Sequence, residues 1–295
     1  MTSMADRPRF GPAGVPPSFH LLRVTLAGVP QLLRAIGLDA FEYEAVRWGK
    51  NPQIRRHDAQ TLGRKAKQHD VWLSLHASYY INLAGNKTIR EASKQRLVAC
   101  ATAAEWMQAH TVVFHPGFYA NKTHKEAYNV CLQALKEVQE TLDNLDVNNV
   151  KLGPETMGRT QQLGTLNEVL DLCETLPQTQ PVIDWSHIHA RENGKLGTTD
   201  DYLKIITQIE NRLGTEAAKN LHCHFTKIEY SIKGEKRHHT LDEKTYGPDF
   251  RLLAKIIAEQ RLKPVIISES PLIEIDAIKM RDTLLKEVKQ NPESR

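Results

Sequence analysis

The chain has 295 residues, 39 Lys and Arg against 35 Asp and Glu, and a formal net charge of +4. That length suits a single α/β barrel, a fold that reaches about 200–250 residues or more as one domain, and the mild positive charge fits an anionic partner without demanding one. Four scattered cysteines with no C-x-x-C argue against a disulfide framework and for reduced thiols. No apolar run approaches the roughly 18 residues of a membrane span, and the Pro/Gly-rich stretch from Met1 to Pro17 lacks a signal-peptide core. The expectation is a cytoplasmic monomer that engages no membrane.

In chain order, residues 1–17 read as an irregular N-terminal segment that contains one very short strand at Arg9–Pro12. Leu32, Leu33 and Ile36 suggest a helix stopped by Gly37, and Ala40–Tyr43 a strand. A helix is expected from about Pro52 to His69, then a strand at Val71–Leu75 that delivers His76. Ile89, Ser93, Leu97, Cys100, Ala104 and Met107 recur at helical spacing, so Thr88–His110 is a helix. Thr111–Phe114 delivers His115, and Ala127 to Leu142 forms the next helix. Asn149–Gly153 leads to Glu155, Leu166–Leu176 is helical, and Pro181–Ile183 delivers Asp184, with His187 three residues on. Tyr202–Leu213 is helical and Asn220–Leu221 delivers His222. Phe250–Glu259 is helical, Pro264–Ile267 delivers Glu269, and a last helix closes the chain.

Strands alternating with helices predict a parallel sheet. Eight strand candidates without a dividing linker predict one (β/α)8 TIM barrel over residues 1–295. An open doubly wound sheet is the alternative, but there is no G-x-G-x-x-G or Walker loop to go with it. In a barrel the C-terminal ends of the strands carry the chemistry. His76, His115, Glu155, Asp184, His222 and Glu269 all fall there, and each is a residue type that ligates divalent metals. So many donors exceed the need of one four-coordinate zinc, which points to at least two ions with a carboxylate such as Glu155 bridging them. Paired metals about 3.5–4 Å apart clamp the oxygens of a phosphoester displacement and lower the pKa of a bound water toward about 7.

The same residues carry a family resemblance. His76-Ala-Ser-Tyr79-Tyr80-Ile81-Asn82-Leu83 resembles the H-x-x-Y-L-I-N-L segment of endonuclease IV, the metal-dependent apurinic/apyrimidinic endonuclease. Phe114-His115-Pro116-Gly117 is similar to its F-H-P-G, and Pro154-Glu155-Thr156-Met157-Gly158 with Leu163-Gly164 to its E-N-T-A-G…L-G. Ile183-Asp184-x-x-His187, Leu221-His222 with Lys227, and Glu269-Ser270 match further motifs in order, from about residue 71 to 270. The resemblance implies a zinc enzyme, with manganese or iron as other candidates, that hydrolyses the phosphodiester 5′ to an abasic site in double-stranded DNA. It implies one ion on His76, His115 and Glu155, and a second on Glu155, Asp184, His222 and Glu269, with Glu155 and Glu269 as the catalytic carboxylates. A third ion would sit on His187 and an Asp-x-His pair. Here the chain departs: His238 matches, but Lys236 stands where the Asp is expected, so Glu235 is the substitute donor. His224 also stands in place of an Asn. Tyr79 and Tyr80 are placed as a wedge into the duplex. Lys122, Arg159, Lys227, Lys233, Lys236 and Arg237 are the candidates for phosphate contacts.

Two rival functions stay open. A one-metal sugar isomerase or epimerase on the same kind of barrel would need only Glu155, Asp184, His222 and Glu269, and would leave His76, His115, His187 and His238 without a use. A barrel that kept ligands and lost activity is the other, with Lys236 as its support.

Overall fold

The computed structural model describes residues 5–290; residues 1–4 of the segment expected to be irregular lie outside that range. Eight strands form the barrel: β1 (Arg9–Pro12), β2 (Ala40–Glu44), β3 (Trp72–His76), β4 (Thr111–Phe114), β5 (Lys151–Pro154), β6 (Val182–Asp184), β7 (His222–Phe225) and β8 (Val265–Ser268). They pair in parallel as two arcs of four, β2-β3-β4-β5 and β1-β8-β7-β6. Parallel bridges Ala13↔Glu42, Leu152↔Thr179 and Glu155↔Val182 join the arcs on both sides, so the sheet closes into a TIM barrel. At the β1–β2 seam the backbones come so close that a Cβ on Gly11 would lie 1.8 Å from the Ala40 carbonyl oxygen; only glycine allows that approach.

The main apolar core lies outside the strands. Phe41, Leu73, Leu75, Val112, Ile183, Cys223 and Ile266 face the surrounding helices and meet side chains such as Leu62, Leu97, Cys100, Met107 and Leu253. The barrel interior holds only a small apolar cluster, Ala5, Ala40, Val265 and Ile267. Other inward positions are polar and buried: Glu42, Ser74, His76, His222 and His224. Strands β2, β3 and β7 therefore alternate polar and apolar residues at a period of two, with the polar set turned toward the barrel axis.

The expected helices form with small shifts, as Arg56–Gln68, Lys87–Met107, His124–Asn144, Leu166–Thr175, Thr199–Leu213, Phe250–Glu259 and Ile273–Gln290. Thr123 with Glu126 and Thr165 with Glu168 make reciprocal capping boxes that fix two of the helix starts. Three findings were not legible beforehand. A short helix, Trp185–Arg191, follows β6 directly. An antiparallel hairpin, Lys227–Ser231 with Gly234–His239, rises from the end of β7. And β7 begins at His222 rather than ending there, with His222 in register with Val182 of β6 and Val265 of β8. Among the described residues all four cysteines are free and no helix is long and apolar enough to cross a membrane.

Candidate metal centre

Glu155, one residue past β5, is the hub. Its side chain is fully buried, and its two oxygens face different imidazoles. Oε2 lies 3.5 Å from His76 Nε2 and 3.2 Å from His115 Nε2. Oε1 lies 3.2 Å from His187 Nδ1 and 3.3 Å from His224 Nδ1. Neither oxygen makes a hydrogen bond, which for a buried carboxylate is costly unless a cation sits against it. Burial would raise its carboxyl, but His224, His115 and His187 outweigh that and hold it well below the usual carboxylate range.

Around this hub the donors fall into sets in which one ligand atom of each residue lies within 4.8 Å of the others: His76, His115 and Glu155; Glu155, Asp184, His224 and Glu269; His187, His238 and Glu269; and Glu42, His222 and His224. Several rings are already oriented by their second nitrogen. His76 Nδ1 lies 2.9 Å from the Ala77 carbonyl oxygen, His187 Nδ1 2.9 Å from that of Thr156, and His238 Nδ1 3.1 Å from that of Glu269. Donating an Nδ1–H to a carbonyl leaves Nε2 with its lone pair, the form a metal requires. Burial lowers His76, but Glu155, Glu44 and Glu42 together hold it up at about 10. Glu269 is held at about 2, His224 outweighing burial. Asp184 does two tasks: Oδ1 accepts the His187 backbone N–H at 2.8 Å and so caps the Trp185–Arg191 helix, while Oδ2 stays unpartnered at 3.3 Å from His187 Nδ1. That short helix is what turns His187 inward, leaving it 4% exposed.

One expected ligand is corrected. His222 stands at the start of β7, not at its rim end, and its Nε2 is 3.1 Å from Glu42 Oε2. His224, two residues on and on the same inward face, is the imidazole that meets Glu155, at 3.3 Å, and Glu269, at 3.2 Å. The error follows from placing the strand two residues early: a period of two keeps the face right and the layer wrong.

Glu235 Oε2 lies 3.6 Å from His187 Nε2, on the hairpin strand that also carries His238, although its carboxylate is outside the set that His187, His238 and Glu269 form. A Cβ on Gly158 would lie 2.8 Å from Glu235 Cβ and 3.0 Å from His187 Cδ2, so this corner of the site needs a glycine. Lys236 points away, its Nζ 3.2 Å from Glu229, and Arg237 reaches the same carboxylate at 3.7 Å. The Lys227 ammonium is partly buried and donates to the Glu243 carbonyl. Tyr79, 51% exposed, stacks over His115 with ring centroids 5.4 Å apart; Tyr80, 60% exposed, has the Arg96 guanidinium 5.8 Å from its ring. Arg159 and Lys233 are exposed and Lys122 half-buried.

Sequence reading missed Glu42 and Glu44, and noted His224 as a replacement for an Asn and a fallback ligand for the third ion, not as a ligand of the middle one. All three sit at inward positions of β2 and β7, and their signal was the polar–apolar alternation of Ala40-Phe41-Glu42-Tyr43-Glu44 and His222-Cys223-His224-Phe225. Burial, reinforced by Glu42 and Glu269 and partly offset by His76, pushes the Glu44 carboxyl up to about 7.

A closed eight-stranded barrel with buried carboxylates and imidazoles at the C-terminal ends of its strands is a TIM barrel built around candidate metal ligands. The chain belongs to the xylose isomerase-like TIM barrel family, whose profile matches residues 30–287. An uncharacterized protein of Methanocaldococcus jannaschii is 35% identical over 270 residues, 91% of this chain and 94% of that one. Among solved structures, endonuclease IV from Thermus thermophilus superposes with a TM-score of 0.70 at 19% identity, over 95% of this chain and 100% of that one. A D-tagatose 3-epimerase-like protein reaches 0.66 at 18% identity, over 91% and 96%, and L-ribulose 3-epimerase 0.64 at 14%, over 97% and 96%. At those identities the likeness extends to the fold.

Proposed function

We propose that the chain is a metal-dependent DNA repair endonuclease that hydrolyses the phosphodiester 5′ to abasic sites, in the manner of endonuclease IV. The observation that carries this reading is Glu155, with one oxygen toward His76 and His115 and the other toward His187 and His224. A carboxylate placed so suits a bridge between two cations. His76, His115 and Glu155 would hold one ion, Glu155, Asp184, His224 and Glu269 a second, and His187 and His238 with Glu235 or Glu269 a third. The unpartnered Glu155 oxygens, Asp184 Oδ2 and His224 Nδ1 fit such occupants, and mixed imidazole and carboxylate donors suit zinc, with manganese and iron as alternatives. When bound, such ions supply a hydroxide at neutral pH and stabilise negative charge on the phosphoryl oxygens.

The rest falls to the protein. Glu155 and Glu269 supply the anionic charge that gathers the cations; the Ala77, Thr156 and Glu269 carbonyls fix three rings in a metal-ready form. Tyr79 and Tyr80 offer exposed aromatic faces beside the donors, where an unpaired stretch of duplex can stack. Arg159, Lys233, Lys236 and Arg237 lie on or next to the hairpin beside the site and are the cations available to phosphates.

The second reading, a one-metal sugar epimerase, is favoured by the set Glu155, Asp184, His224 and Glu269, which alone completes a four-donor site. It leaves His76, His115, His187 and His238 unexplained. Purified protein incubated with duplex DNA carrying one abasic-site analogue, with and without chelator, separates the two. Chelator-sensitive nicking 5′ of the lesion is expected; no nicking, together with turnover of a ketohexose, overturns the endonuclease reading.

A further inference from the structure

One layer below the rim lies a buried polar group that the proposed chemistry does not use. Glu42, on β2, has no exposed surface. Ser74 Oγ donates to its Oε2 at 2.7 Å, and His222 Nε2 stands 3.1 Å from the same oxygen. Its other oxygen, Oε1, accepts no hydrogen bond from any described residue and faces His224 Nε2 at 3.0 Å, itself a buried atom without a hydrogen bond. The far side of the same ring, Nδ1, faces the rim carboxylates Glu155 and Glu269.

These positions set the tautomer of His224. A neutral imidazole has one N–H and one lone pair. A cation held among Glu155, Asp184 and Glu269 would take the lone pair of Nδ1, which would leave the proton on Nε2. That N–H is buried, and Glu42 Oε1 is the acceptor at hand. His222 serves the other oxygen and Ser74 anchors the carboxylate. A ligating histidine whose remaining N–H is held by a carboxylate is both oriented and made a stronger donor.

We propose that Glu42 is a positioning residue: it holds the Nε2–H of His224 from beneath, aims Nδ1 at the rim, and thereby sets the affinity of the middle metal site. The inference rests on the rim holding metal. It implies that the barrel uses two layers, with ligands at the strand ends and a carboxylate–imidazole–serine support directly below.

The test uses zinc and the full-length protein, with zinc per chain and zinc affinity measured by competition with a chromophoric chelator. Glu42→Gln keeps shape and burial but removes the charge. One zinc should be held roughly 10–100-fold more weakly, with full stoichiometry recovered in excess zinc, and Ser74→Ala should show a smaller weakening of the same ion. Nitrogen NMR of the zinc-loaded wild type should show His224 protonated at Nε2 and metal-bound at Nδ1, a readout that does not depend on any variant folding. Metal on Nε2, or wild-type zinc affinity in folded Glu42→Gln, overturns the proposal. So does an ion lost from Glu42→Gln that excess zinc cannot restore, for Glu42 would then be a ligand of a deeper ion shared with His222 and His224. A wild type that binds no zinc fails at the earlier step and overturns the metal reading of the rim itself.

Discussion

The two ends of the barrel treat their carboxylates in opposite ways. At the base, the carboxylates meet guanidinium groups: Arg9 reaches Asp6 at 2.8 Å and Asp70 at 2.9 Å, while Arg7 reaches Asp39 at 3.0 Å and Asp70 at 2.6 Å. At the rim, Glu155, Asp184 and Glu269 are ion-paired with no Lys or Arg among the described residues; their partners are imidazoles. The base also carries a cavity of about 760 Å³ lined by Arg9, Lys67, Asp70, Trp72 and His110. A guanidinium close to a carboxylate holds a permanent charge against it, whereas an imidazole either keeps a proton there, as the carboxylates favour for His76, His187 and His224, or gives it up and offers a lone pair to a cation. The rim can therefore exchange protons for a cation, and the base cannot.

The largest effect that would break this contrast is at its centre. Glu155→Gln preserves shape but removes the charge between two imidazole pairs. Lesion cleavage should fall by about three orders of magnitude or more (on the order of 4 kcal/mol of barrier), with an unchanged circular dichroism spectrum. A folded variant with near wild-type turnover removes Glu155 from the hub. Neutralising Asp70 at the base, by Asp70→Asn, should leave turnover at neutral pH unaltered; a comparable loss there would erase the distinction between the ends.

Next comes the corner where the chain departs from its resemblance. Glu235→Ala should lower bound zinc by about one ion per chain, since two imidazoles alone make a poor site, and should cripple cleavage. Lys236→Ala should leave zinc content unchanged and flatten the salt dependence of DNA binding by a slope of about 1. Full zinc in Glu235→Ala removes that carboxylate from the ligands and returns the corner to His187, His238 and Glu269.

The barrel and the ring of donors were legible because both are written locally. An apolar run that ends in His, Glu or Asp marks a strand and its functional end together, as at His76, His115, Glu155, Asp184 and Glu269. Layer depth was not legible. His222 and His224 have the same parity, and it is the pairing with β6 and β8, from distant parts of the sequence, that fixes where β7 starts. Glu42 was hidden for a related reason: its partners His222 and His224 are 180 or more residues away in sequence, and nothing local announces that a carboxylate on a strand faces the barrel axis. The partner of the Lys227 ammonium was hidden for another reason: it is a backbone carbonyl, that of Glu243, which leaves no trace in residue type.

A smaller effect tests whether the exposed aromatics belong to the rim's task. Tyr80→Ala removes a ring that is 60% exposed and packs only lightly. Binding to lesion duplex should weaken by about 1–3 kcal/mol, as for one lost base stack, and binding to intact duplex by less. Equal losses on the two duplexes, in a fluorescence-anisotropy titration, would assign Tyr80 to loop packing.

The smallest effect concerns the base alone and should be invisible at the rim. His110 stacks on Trp72 with ring centroids 3.5 Å apart and an interplanar angle of 12°. Burial, with the nearby charges of Arg9, His222 and Lys151, lowers it to about 4. In the unfolded chain an imidazole protonates near pH 6.5. The folded state refuses a proton that the unfolded state accepts, so this histidine adds nothing to the pH dependence above about 6.5 and costs stability as pH falls from there toward 4. At pH 5 the loss is at most about 2 kcal/mol. His110→Phe keeps an aromatic ring against Trp72 and has no proton to take. Urea midpoints at pH 7 and pH 5 should therefore separate further for the wild type than for His110→Phe, while cleavage at pH 7 is equal in the two. An identical pH 7 to pH 5 shift in both proteins would show that the acid sensitivity arises elsewhere, and the rim, where burial and carboxylates compete over His76, His187 and His224, would be the place to look.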